Sequence, residues 1–435
     1  MRNKNLPDHL FCTIPLFLMF LTASLGYAQV KVGAKAEWHP AKKIIMHTPG
    51  DEFFMGVIHP AAALFEKTFS LKKAKKEHLD YIKGLNKRGV EIITIVDTLL
   101  KGTVDASGNT VSGKDLNELR AFAKSFLTYD TSKLSPKKRK EQEAYKDKVI
   151  GQLSPYELVR IILQRPIVRL EETGTNTGFE ADYEEHPLMN LYFCRDQMIT
   201  TAKGIVITKM NSPQREGETR VIKFVLQKLG IKPVYEVTGE GRLEGGDYFS
   251  AGDVAMIGQG LRTNAEGIKQ LLDNKVFGVP KVAVVKDKWK DQEEMHLDTY
   301  FNIINPKLAV LVDIRMDLPG KPANPKMIPK VDVYELKNGK YVKTVSDKNF
   351  QKYLEEELGY KIIPATRKDQ NLYGINFLTV ESNKIMAIDG ASKKYKKALK
   401  DHGVEATWME FGALTSGYGA AHCTTQAILR EKSEK

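Results

Sequence analysis

Residues 204–237 read GIVITKMNSPQREGETRVIKFVLQKLGIKPVYEV, and this stretch holds one complete structural unit. It begins with a short apolar strand, continues through a loop into an amphipathic helix, and ends with a glycine followed by a second strand. The end of a helix favours a residue with left-handed backbone conformation, which Gly230 can provide. Both strands are short and rich in β-branched residues, as half-buried strands are. The stretch therefore predicts a small α/β unit.

The same order of elements recurs along the chain. The glycine that ends the helix recurs at Gly89, Gly278, Gly359 and Gly403. The strands that open the units begin at Lys43, Gly204, Asp253, Leu308 and Lys384. Five similar units predict a pseudo-fivefold arrangement of α/β modules, that is, a five-bladed α/β propeller. A doubly wound sheet is the alternative, because helix, glycine and strand follow one another in many α/β proteins.

Residues from about 101 to 186 do not follow this pattern. They contain three helical segments, and two of them begin with a Ser-Pro pair, at Ser135 and Ser154. Serine suits an N-cap and proline suits the first helical position. We therefore predict a helical insertion between the first and second units. Residues 174–187, GTNTGFEADYEEHP, are expected to form a loop that returns the chain to the sheet.

The first 28 residues have the features of a cleavable signal peptide. Arg2 and Lys4 precede a run of 12 mostly apolar residues, LFCTIPLFLMFL, which is too short to cross a bilayer as a helix. Small residues follow, and cleavage is expected near Ala28. We expect residues 29–435 to form one exported catalytic domain, periplasmic or secreted, with no stable membrane association after cleavage. An uncleaved anchor is the alternative.

Composition and cysteine usage narrow the classes of function. The formal net charge is +12, and much of it comes from lysine clusters that are spread along the chain and mixed with acidic residues. Nucleic-acid binding would require basic and aromatic residues on one face, so we expect no nucleic-acid partner. Cys12 leaves with the signal peptide, and only Cys194 and Cys423 remain. These two cannot form a disulfide framework, although a single inactivating bridge between them stays open.

Four polar clusters follow or open predicted strands, where α/β folds often place functional groups. They are NLYFCRD at residues 190–196, RLEGGDYF at 242–249, MHLDTYF at 295–301 and LTSGYGAAHC at 414–423. Each cluster alone has an ordinary structural interpretation, such as a solvated turn, a hydrogen-bonded pair or an inert buried cysteine. Together they supply a cysteine, histidine and several carboxylates from different units.

This combination suits attack on a guanidinium group. Carboxylates can hold a planar guanidinium by charge-assisted bidentate hydrogen bonds. A thiolate can attack the central carbon, with a nearby cation lowering the thiol pKa, and a histidine can protonate the leaving nitrogen. A metal site is the main competitor, but the sequence has no HExxH, CxxC or histidine cluster, so we expect neither metal nor cofactor. A serine hydrolase would need a G-x-S-x-G turn, which is absent.

The same motifs resemble those of arginine deiminases. PLMNLYFCRD, from Pro187, is similar to the PNLYFTRDP segment of that family. LEGGD, MHLDT and the glycine-rich segment before Cys423 occur in the family's order, AEWHPAKKIIMHTPG resembles its opening strand, and SPYELVRIIL resembles part of its helical insertion. The resemblance covers nearly all of the chain after the signal peptide. It implies a propeller of five α/β blades and metal-free hydrolysis of arginine to citrulline and ammonia.

The resemblance also implies roles for individual residues. Cys423 corresponds to the nucleophile that forms a thiouronium adduct, His296 to the proton carrier that then activates water, and Glu244 to the carboxylate that orients both histidine and guanidinium. Asp196 and Asp298 correspond to the guanidinium clamps. The remaining expected substrate-binding residues are Asn190, Phe193, Arg195, Arg215, Asp247 and Arg262. Among these, the arginines Arg215 and Arg262 are expected to hold the α-carboxylate.

The sequence departs from the family at three informative positions. Tyr418 stands where the family has a second arginine that meets the substrate carboxylate, and Cys194 and Gln197 replace a threonine and a proline. The catalytic chemistry is therefore better supported than free arginine as the substrate. The leading hypothesis is hydrolysis of L-arginine or a close guanidino relative. An amidinotransferase, a peptidyl-arginine deiminase and a non-catalytic guanidinium-binding protein are the alternatives, and the sequence leaves the pH optimum and homo-oligomer formation open.

Overall fold

The computed structural model describes residues 30–175, 177–321 and 324–432. The predicted signal peptide lies outside these residues. Within the described ranges, twenty strands alternate with helices, and single-turn 3₁₀ helices form several of the connections. The protein has a mixed α/β fold. In those ranges, no helix combines the length and the apolar character needed to cross a membrane.

The elements have the following bounds. The strands are β1 (Ala41–Met46), β2 (Glu91–Thr94), β3 (Thr128–Asp130), β4 (Pro166–Glu172), β5 (Phe179–Glu185), β6 (Met198–Thr201), β7 (Gly204–Ile207), β8 (Tyr235–Glu236), β9 (Tyr248–Ala251), β10 (Val254–Gln259), β11 (Lys281–Lys286), β12 (Phe301–Asn305), β13 (Leu308–Val312), β14 (Lys330–Lys337), β15 (Lys340–Asn349), β16 (Lys361–Ala365), β17 (Leu378–Glu381), β18 (Lys384–Ile388), β19 (Glu405–Met409) and β20 (Gln426–Arg430). The α-helices are α1 (Phe54–Ile58), α2 (Leu71–Asn86), α3 (Ile95–Leu100), α4 (Lys114–Lys124), α5 (Pro136–Gln152), α6 (Pro155–Gln164), α7 (Glu216–Lys228), α8 (Ala265–Asp273), α9 (Phe350–Lys352), α10 (Arg367–Asn371) and α11 (Lys393–Asp401).

The described residues contain six sheets. Five of them, all outside the region between β2 and β6, repeat one arrangement of three strands, and the sixth, β3-β4-β5, lies within that region. In each, a central strand pairs antiparallel with one neighbour and parallel with the other. The five triplets are β20-β1-β2, β6-β7-β8, β9-β10-β11, β12-β13-β16 and β17-β18-β19, and the hairpin β14-β15 extends the third at β11. The strands predicted to open the units are the central strands of these sheets. The last strand, β20, lies beside the first, so the two ends of the described chain share one sheet.

The helix-ending glycines adopt the predicted backbone conformation. Their φ angles lie between 68° and 73°, a region that side-chain-bearing residues rarely occupy. The five residues are Gly89, Gly230, Gly278, Gly359 and Gly403. At four of these positions the left-handed residue lets the chain leave the helix and enter the next strand. The prediction was wrong for Gly278, because α8 ends at Asp273 and Lys275, with a φ of 52°, is the left-handed residue that follows it.

The region between β2 and β6 contains the three predicted helices, α4, α5 and α6. Ser154 caps α6, because its side chain accepts from the backbone N–H of Glu157 while the Glu157 carboxylate accepts from that of Ser154. The prediction of a loop over residues 174–187 was wrong, since β5 pairs antiparallel with β4 along its whole length. None of the side chains of β5 is fully buried. An exposed ribbon of this kind lacks the apolar alternation by which a half-buried strand is recognised.

Candidate active site

Each of the five repeated sheets carries a polar residue one to three residues before its outer antiparallel strand. Asp196 precedes β6, Asp247 precedes β9, Asp298 precedes β12, Asn376 precedes β17 and Cys423 precedes β20. All five residues are buried. The repeat of the fold therefore gathers the polar clusters of the sequence, because corresponding strand ends of the units lie close together.

His296 and Glu244 form a buried pair from two different units. Nε2 of His296 lies 2.8 Å from Oε2 of Glu244, and Nδ1 of His296 lies 3.8 Å from Oδ1 of Asp196. The other oxygen of Glu244 accepts from the backbone N–H of Asn211, at 2.9 Å. Gly246 packs against the imidazole so closely that a Cβ there would lie 2.6 Å from Nδ1. The LEGGD turn therefore holds the histidine ring in one place.

This environment keeps His296 charged. Burial alone would lower the pKa of His296, but Asp196, the hydrogen bond to Glu244 and the charge of Asp247 outweigh it and raise the pKa to about 9. Burial in turn works to raise the pKa of Glu244, but the hydrogen bond and charge of His296 lower it to about 2. At neutral pH, the pair is thus an imidazolium and a carboxylate, and His296 can donate a proton.

Cys423 lies against the carboxylate of Asp298. Its Sγ is 3.5 Å from Oδ2 of Asp298, and the thiol belongs to a hydrophobic cluster of buried residues. Burial raises the pKa of Cys423 well above its usual value, and the charges of Asp298 and Asp196 raise it further. No cation outweighs these carboxylates here, contrary to the expectation that a nearby positive charge would activate the thiol. Cys423 therefore carries its proton in this structure.

Arg215 is held by carboxylates rather than free for an anionic ligand. It donates to both oxygens of Glu218 at 2.9 Å each, and to Oδ2 of Asp196 at 2.9 Å. Gln197, which replaces the family's proline, donates from Nε2 to Glu218 at 2.8 Å and supports the same arrangement. Sequence reasoning missed Glu218, although its place three residues after Arg215 in the first turn of α7 is a typical ion-pair spacing.

Arg262, unlike Arg215, makes no hydrogen bond to a carboxylate among the described residues. Its Nη2 donates to Oε1 of Gln292 at 3.1 Å, and its Nε is buried without a hydrogen-bond partner. Among the described residues, no carboxylate lies within ion-pair distance of Arg262, in contrast to Arg215. Arg262 is thus a buried positive charge with no carboxylate in direct contact, although its charge is among the effects that lower the pKa of Glu244.

A pocket with about 330 Å³ of empty space, part of which is open to solvent, joins most of the predicted site residues. Its lining contains Asn190, Phe193, Asp196, Arg215, Arg262, His296 and Cys423, together with Leu64, Met295, Gly417 and Tyr418. Glu244 and Asp298 stand directly behind this lining, through their contacts with His296 and Cys423. A second cavity of about 640 Å³ shares Tyr418 and contains the acidic residues Glu66 and Glu293.

The structure does not bring Arg195 and Asp247 to the cavity lining. Arg195 donates from its backbone N–H to the carbonyl of Cys423 and from Nε to the carbonyl of His422, at 3.1 and 3.3 Å. Oδ1 of Asp247 accepts from the backbone N–H of Leu297 at 3.0 Å, next to His296. Both residues therefore support the loops that carry the reacting groups.

Asn376 was missed by sequence reasoning. Its Oδ1 accepts from the backbone N–H groups of Ala420 and Cys423 at 3.1 and 3.3 Å, and its Nδ2 donates to the carbonyl of Asp298 at 3.1 Å. One amide side chain thus joins the loop of the thiol to the loop of Asp298. Asn376 belongs to no recognised motif, but its place two residues before β17 repeats that of Asp196 before β6.

A metal ion would have one set of candidate ligands. Within the described ranges, Asp196, Glu244 and His296 bring ligand atoms within 4.8 Å of one another. A metal-bound histidine must be neutral, whereas the carboxylates around His296 favour its charged form. A metal ion would therefore have to displace the proton of His296 in order to bind there.

Cys194 and Cys423 are both free and buried. They belong to different hydrophobic clusters, with Cys194 in the one that also contains Leu158 and Ile162 of α6. Burial raises the pKa of Cys194, so this thiol is protonated as well. A bridge between the two cysteines stays a prediction.

Solved structures with this fold come from enzymes that modify guanidino compounds. DDAH from Pseudomonas aeruginosa complexed with citrulline matches with a TM-score of 0.52 and 15% identity, covering 89% of this chain and 99% of that chain. The N-terminal domain of ArgZ bound covalently to a reaction intermediate matches with a TM-score of 0.52 and 13% identity, covering 89% and 98%. At this level of identity, the likeness concerns the fold alone.

Sequence comparison is more specific. The profile of the arginine deiminase family matches residues 62–430. The arginine deiminase of Halobacterium salinarum is 26% identical, covering 92% of this chain and 97% of that protein. That of Metamycoplasma arthritidis is also 26% identical, covering 89% and 94%. The chain therefore belongs to the arginine deiminase family, and it is a hydrolase that acts on amidino C–N bonds.

Proposed function

We propose that the protein is an exported enzyme that hydrolyses L-arginine, or a close guanidino relative, to citrulline and ammonia through a thiouronium adduct on Cys423. One observation carries the proposal. Beside the thiol are two buried carboxylates, Asp196 and Asp298, and each has an oxygen without a hydrogen-bond partner. A guanidinium would supply N–H donors to both of these oxygens and would place a positive charge between the two carboxylates.

Substrate binding would activate the nucleophile. Burial, and after it the carboxylates of Asp298 and Asp196, raise the pKa of Cys423 and keep its thiol protonated. A guanidinium bound between them neutralises their charge and places a positive charge next to the sulfur, which lowers the thiol pKa. The enzyme would thus form its thiolate only when the substrate is present, and the thiol proton would pass to solvent.

The first half of the reaction forms the adduct. The thiolate of Cys423 attacks the central guanidinium carbon and gives a neutral tetrahedral adduct. His296, charged at neutral pH, then donates its proton to one of the two terminal nitrogens. The C–N bond breaks, ammonia leaves, and an S-alkylthiouronium remains on Cys423.

The second half of the reaction releases the product. His296 is now neutral and accepts a proton from water while the resulting hydroxide adds to the thiouronium carbon. The tetrahedral adduct expels the sulfur of Cys423, and the hydroxyl proton passes to that sulfur as the carbonyl of citrulline forms, which restores the thiol. Glu244, 2.8 Å from His296, stabilises the imidazolium whenever it carries the proton.

Arg262 supports an amino-acid substrate. It is the buried arginine of the cavity lining without a carboxylate partner, and a substrate α-carboxylate would supply one. Arg215 is already shared among Glu218 and Asp196, so its contribution to the α-carboxylate would require it to give up one of these partners. We infer that Arg262 makes the main contact with the α-carboxylate.

The second cavity supports a second candidate function, the hydrolysis of guanidines other than free arginine. It shares Tyr418 with the cavity lined by His296 and Cys423, which is the reaction cavity. Its acidic residues Glu66 and Glu293 would suit a substrate whose end opposite the guanidinium is positively charged or extended by further residues. Agmatine and arginine within a peptide are guanidines of this kind. Tyr418 stands where the family has an arginine, and that arginine would favour substrates with a free α-carboxylate.

We also infer that the five repeated sheets form a five-bladed propeller around the site. Three features support this arrangement: the repeated strand order, the closure of the first sheet by β20, and the place of Asp196, Asp298, Asn376 and Cys423 two or three residues before their outer strands. Export rests on the sequence of residues 1–28 alone. Secretion of the mature chain from cells that express the full sequence, with an N-terminus near residue 29, tests it.

The activity is tested with three guanidines: arginine, agmatine and an arginyl peptide. We expect ammonia and citrulline from arginine, and no product with Cys423→Ala. Cys194→Ala removes the other buried thiol and serves as the matched control, which should retain turnover. If none of the three compounds releases ammonia, the proposed hydrolysis is refuted. If only the peptide is turned over, the substrate is arginine within a peptide and not free arginine.

A further inference from the structure

His422 precedes the nucleophile and contacts the same carboxylate oxygen as the nucleophile does. Its Nδ1 lies 2.7 Å from Oδ2 of Asp298, and that oxygen lies 3.5 Å from Sγ of Cys423. The other oxygen, Oδ1, is buried and has no hydrogen-bond partner. One oxygen of Asp298 is therefore committed to the protein, and the other remains free.

The imidazole of His422 cannot easily turn. Its ring stacks on Phe249 at 5.1 Å between centroids and 14° between planes, and the residue is 1% exposed. Its backbone N–H donates to the carbonyl of Asn376 at 3.2 Å, and its carbonyl accepts from Nε of Arg195 at 3.3 Å. The ring and the backbone are thus both fixed relative to Asp298.

The protonation states define the direction of the hydrogen bond. Burial and the charge of Arg195 lower the pKa of His422, although Asp298 and Glu37 oppose them. Burial works to raise the pKa of Asp298, but the hydrogen bond from His422 leads the effects that lower it. A neutral imidazole thus meets a carboxylate, which can only accept, so Nδ1 carries the proton. Nε2 has no hydrogen-bond partner, and His422 does not line the reaction cavity.

We propose that His422 is a positioning residue that acts through Asp298. Its Nδ1–H fixes Oδ2 against the sulfur of Cys423 and thereby turns Oδ1 towards the place of the guanidinium. This role rests on the proposed function in one respect, namely that Asp298 binds the guanidinium of the substrate. It differs from the role of His296, which exchanges protons with the reacting groups, whereas His422 only orients a carboxylate.

Three substitutions separate the hydrogen bond from the bulk of the side chain. His422→Asn keeps an N–H donor near the position of Nδ1, His422→Gln moves the donor one bond further out, and His422→Leu removes it. We expect His422→Asn to retain kcat/KM within about threefold, and the other two to lose about 10- to 100-fold, the cost of a hydrogen bond to a charged group. His186→Leu, at an exposed histidine, controls for the loss of an imidazole elsewhere.

A second measurement requires no substrate. Iodoacetamide alkylates Cys423, and its rate constant is compared for wild type, His422→Leu, Asp298→Asn and the double variant, in a Cys194→Ala background. We expect His422→Leu to change the rate by about threefold or more when Asp298 is present, and to have no further effect beside Asp298→Asn, because residues acting as one unit are not additive. This cycle decides the role of His422 even if no guanidine is turned over.

Two outcomes would overturn the proposal. One is that His422→Leu changes the rate constant of alkylation equally in the presence of Asp298 and in the Asp298→Asn variant. This would show that His422 acts independently of the carboxylate. The other is an equal loss of kcat/KM in the Asn and Gln variants. If His422→Leu does not fold, as judged by circular dichroism, the Asn and Gln variants are compared in both assays and decide the matter in the same way.

Discussion

Nε2 of His296 and Oε2 of Glu244 lie 2.8 Å apart, and both side chains are buried, so each holds the other in its charged form. The distance alone would also fit a purely structural ion pair. What distinguishes this pair is the cavity on the other side of His296, where Asp196 and Cys423 face the same space. A proton held by His296 can therefore be delivered to a bound ligand.

The pH dependence of turnover tests this pair. The pKa of His296 is raised to about 9, so the proton for the leaving nitrogen is present at neutral pH and is lost as the pH rises through about 9. Glu244→Gln removes the carboxylate that helps to raise this pKa, and we expect the alkaline decline of kcat/KM to move to lower pH and the maximal rate to fall. A decline that stays at the same pH in the variant would contradict the role of Glu244.

The link between Asn376 and the nucleophile loop gives a second prediction. Asn376→Ala removes the acceptor for the N–H groups of Ala420 and Cys423 and the donor to Asp298. We expect kcat/KM to fall about 10- to 100-fold, because buried groups lose their partners. Asn117→Ala, at an exposed position on α4, should stay within about twofold. Equal activity of the two variants would show that Asn376 does not position the thiol.

The different environments of Arg262 and Arg215 predict different kinetic effects. Arg262→Gln should raise KM for arginine about 10- to 100-fold and leave agmatine, which lacks the carboxylate, nearly unaffected. Arg215→Gln should impair both substrates, because it leaves Asp196 and Glu218 without their counter-ion. The measurement is kcat/KM for both guanidines with both variants. Equal losses on arginine and agmatine in Arg262→Gln would contradict the assigned contact.

Substitution of Tyr418 is expected to increase the selectivity for arginine over agmatine. It lies in the lining of both cavities, at the place where the family carries an arginine. We expect Tyr418→Arg to increase the ratio of kcat/KM for arginine to that for agmatine, because a second cation near Arg262 favours the α-carboxylate and repels the amine. Tyr418→Phe, which keeps the ring without adding charge, should leave the ratio close to that of the wild type. If the ratio does not change in Tyr418→Arg, the α-carboxylate of the substrate does not lie near residue 418.

Much of the repeated fold was predictable because its determinants are local. The glycine at the end of each helix and the β-branched strand after it are properties of a few neighbouring residues, as at Gly230 and Gly403. The ribbon of β4 and β5 was not predictable in this way. Its strands are stabilised by pairing with each other while their side chains stay partly or fully exposed, so no apolar periodicity marks them.

The candidate site was predictable in its residue types but not in its contacts. Cys423, His296 and Asp196 stand out as reactive groups within motifs, and the fold brings them to one cavity. That Arg195 faces the carbonyls behind the thiol, rather than the cavity, depends on packing between units far apart in sequence. The same holds for His422, which is part of a motif but acquires a partner only when β12 and β20 are brought together.

The central claim is that Cys423 becomes covalently bonded to the guanidinium carbon of the substrate. The most direct test is mass spectrometry of the intact protein after rapid acid quenching of a reaction with arginine, followed by peptide mapping. We expect a mass increase equal to arginine less ammonia, located on Cys423, present in Cys194→Ala and absent in Cys423→Ala. Citrulline formation by the Cys423→Ala variant, or an adduct mapped to another residue, would contradict it.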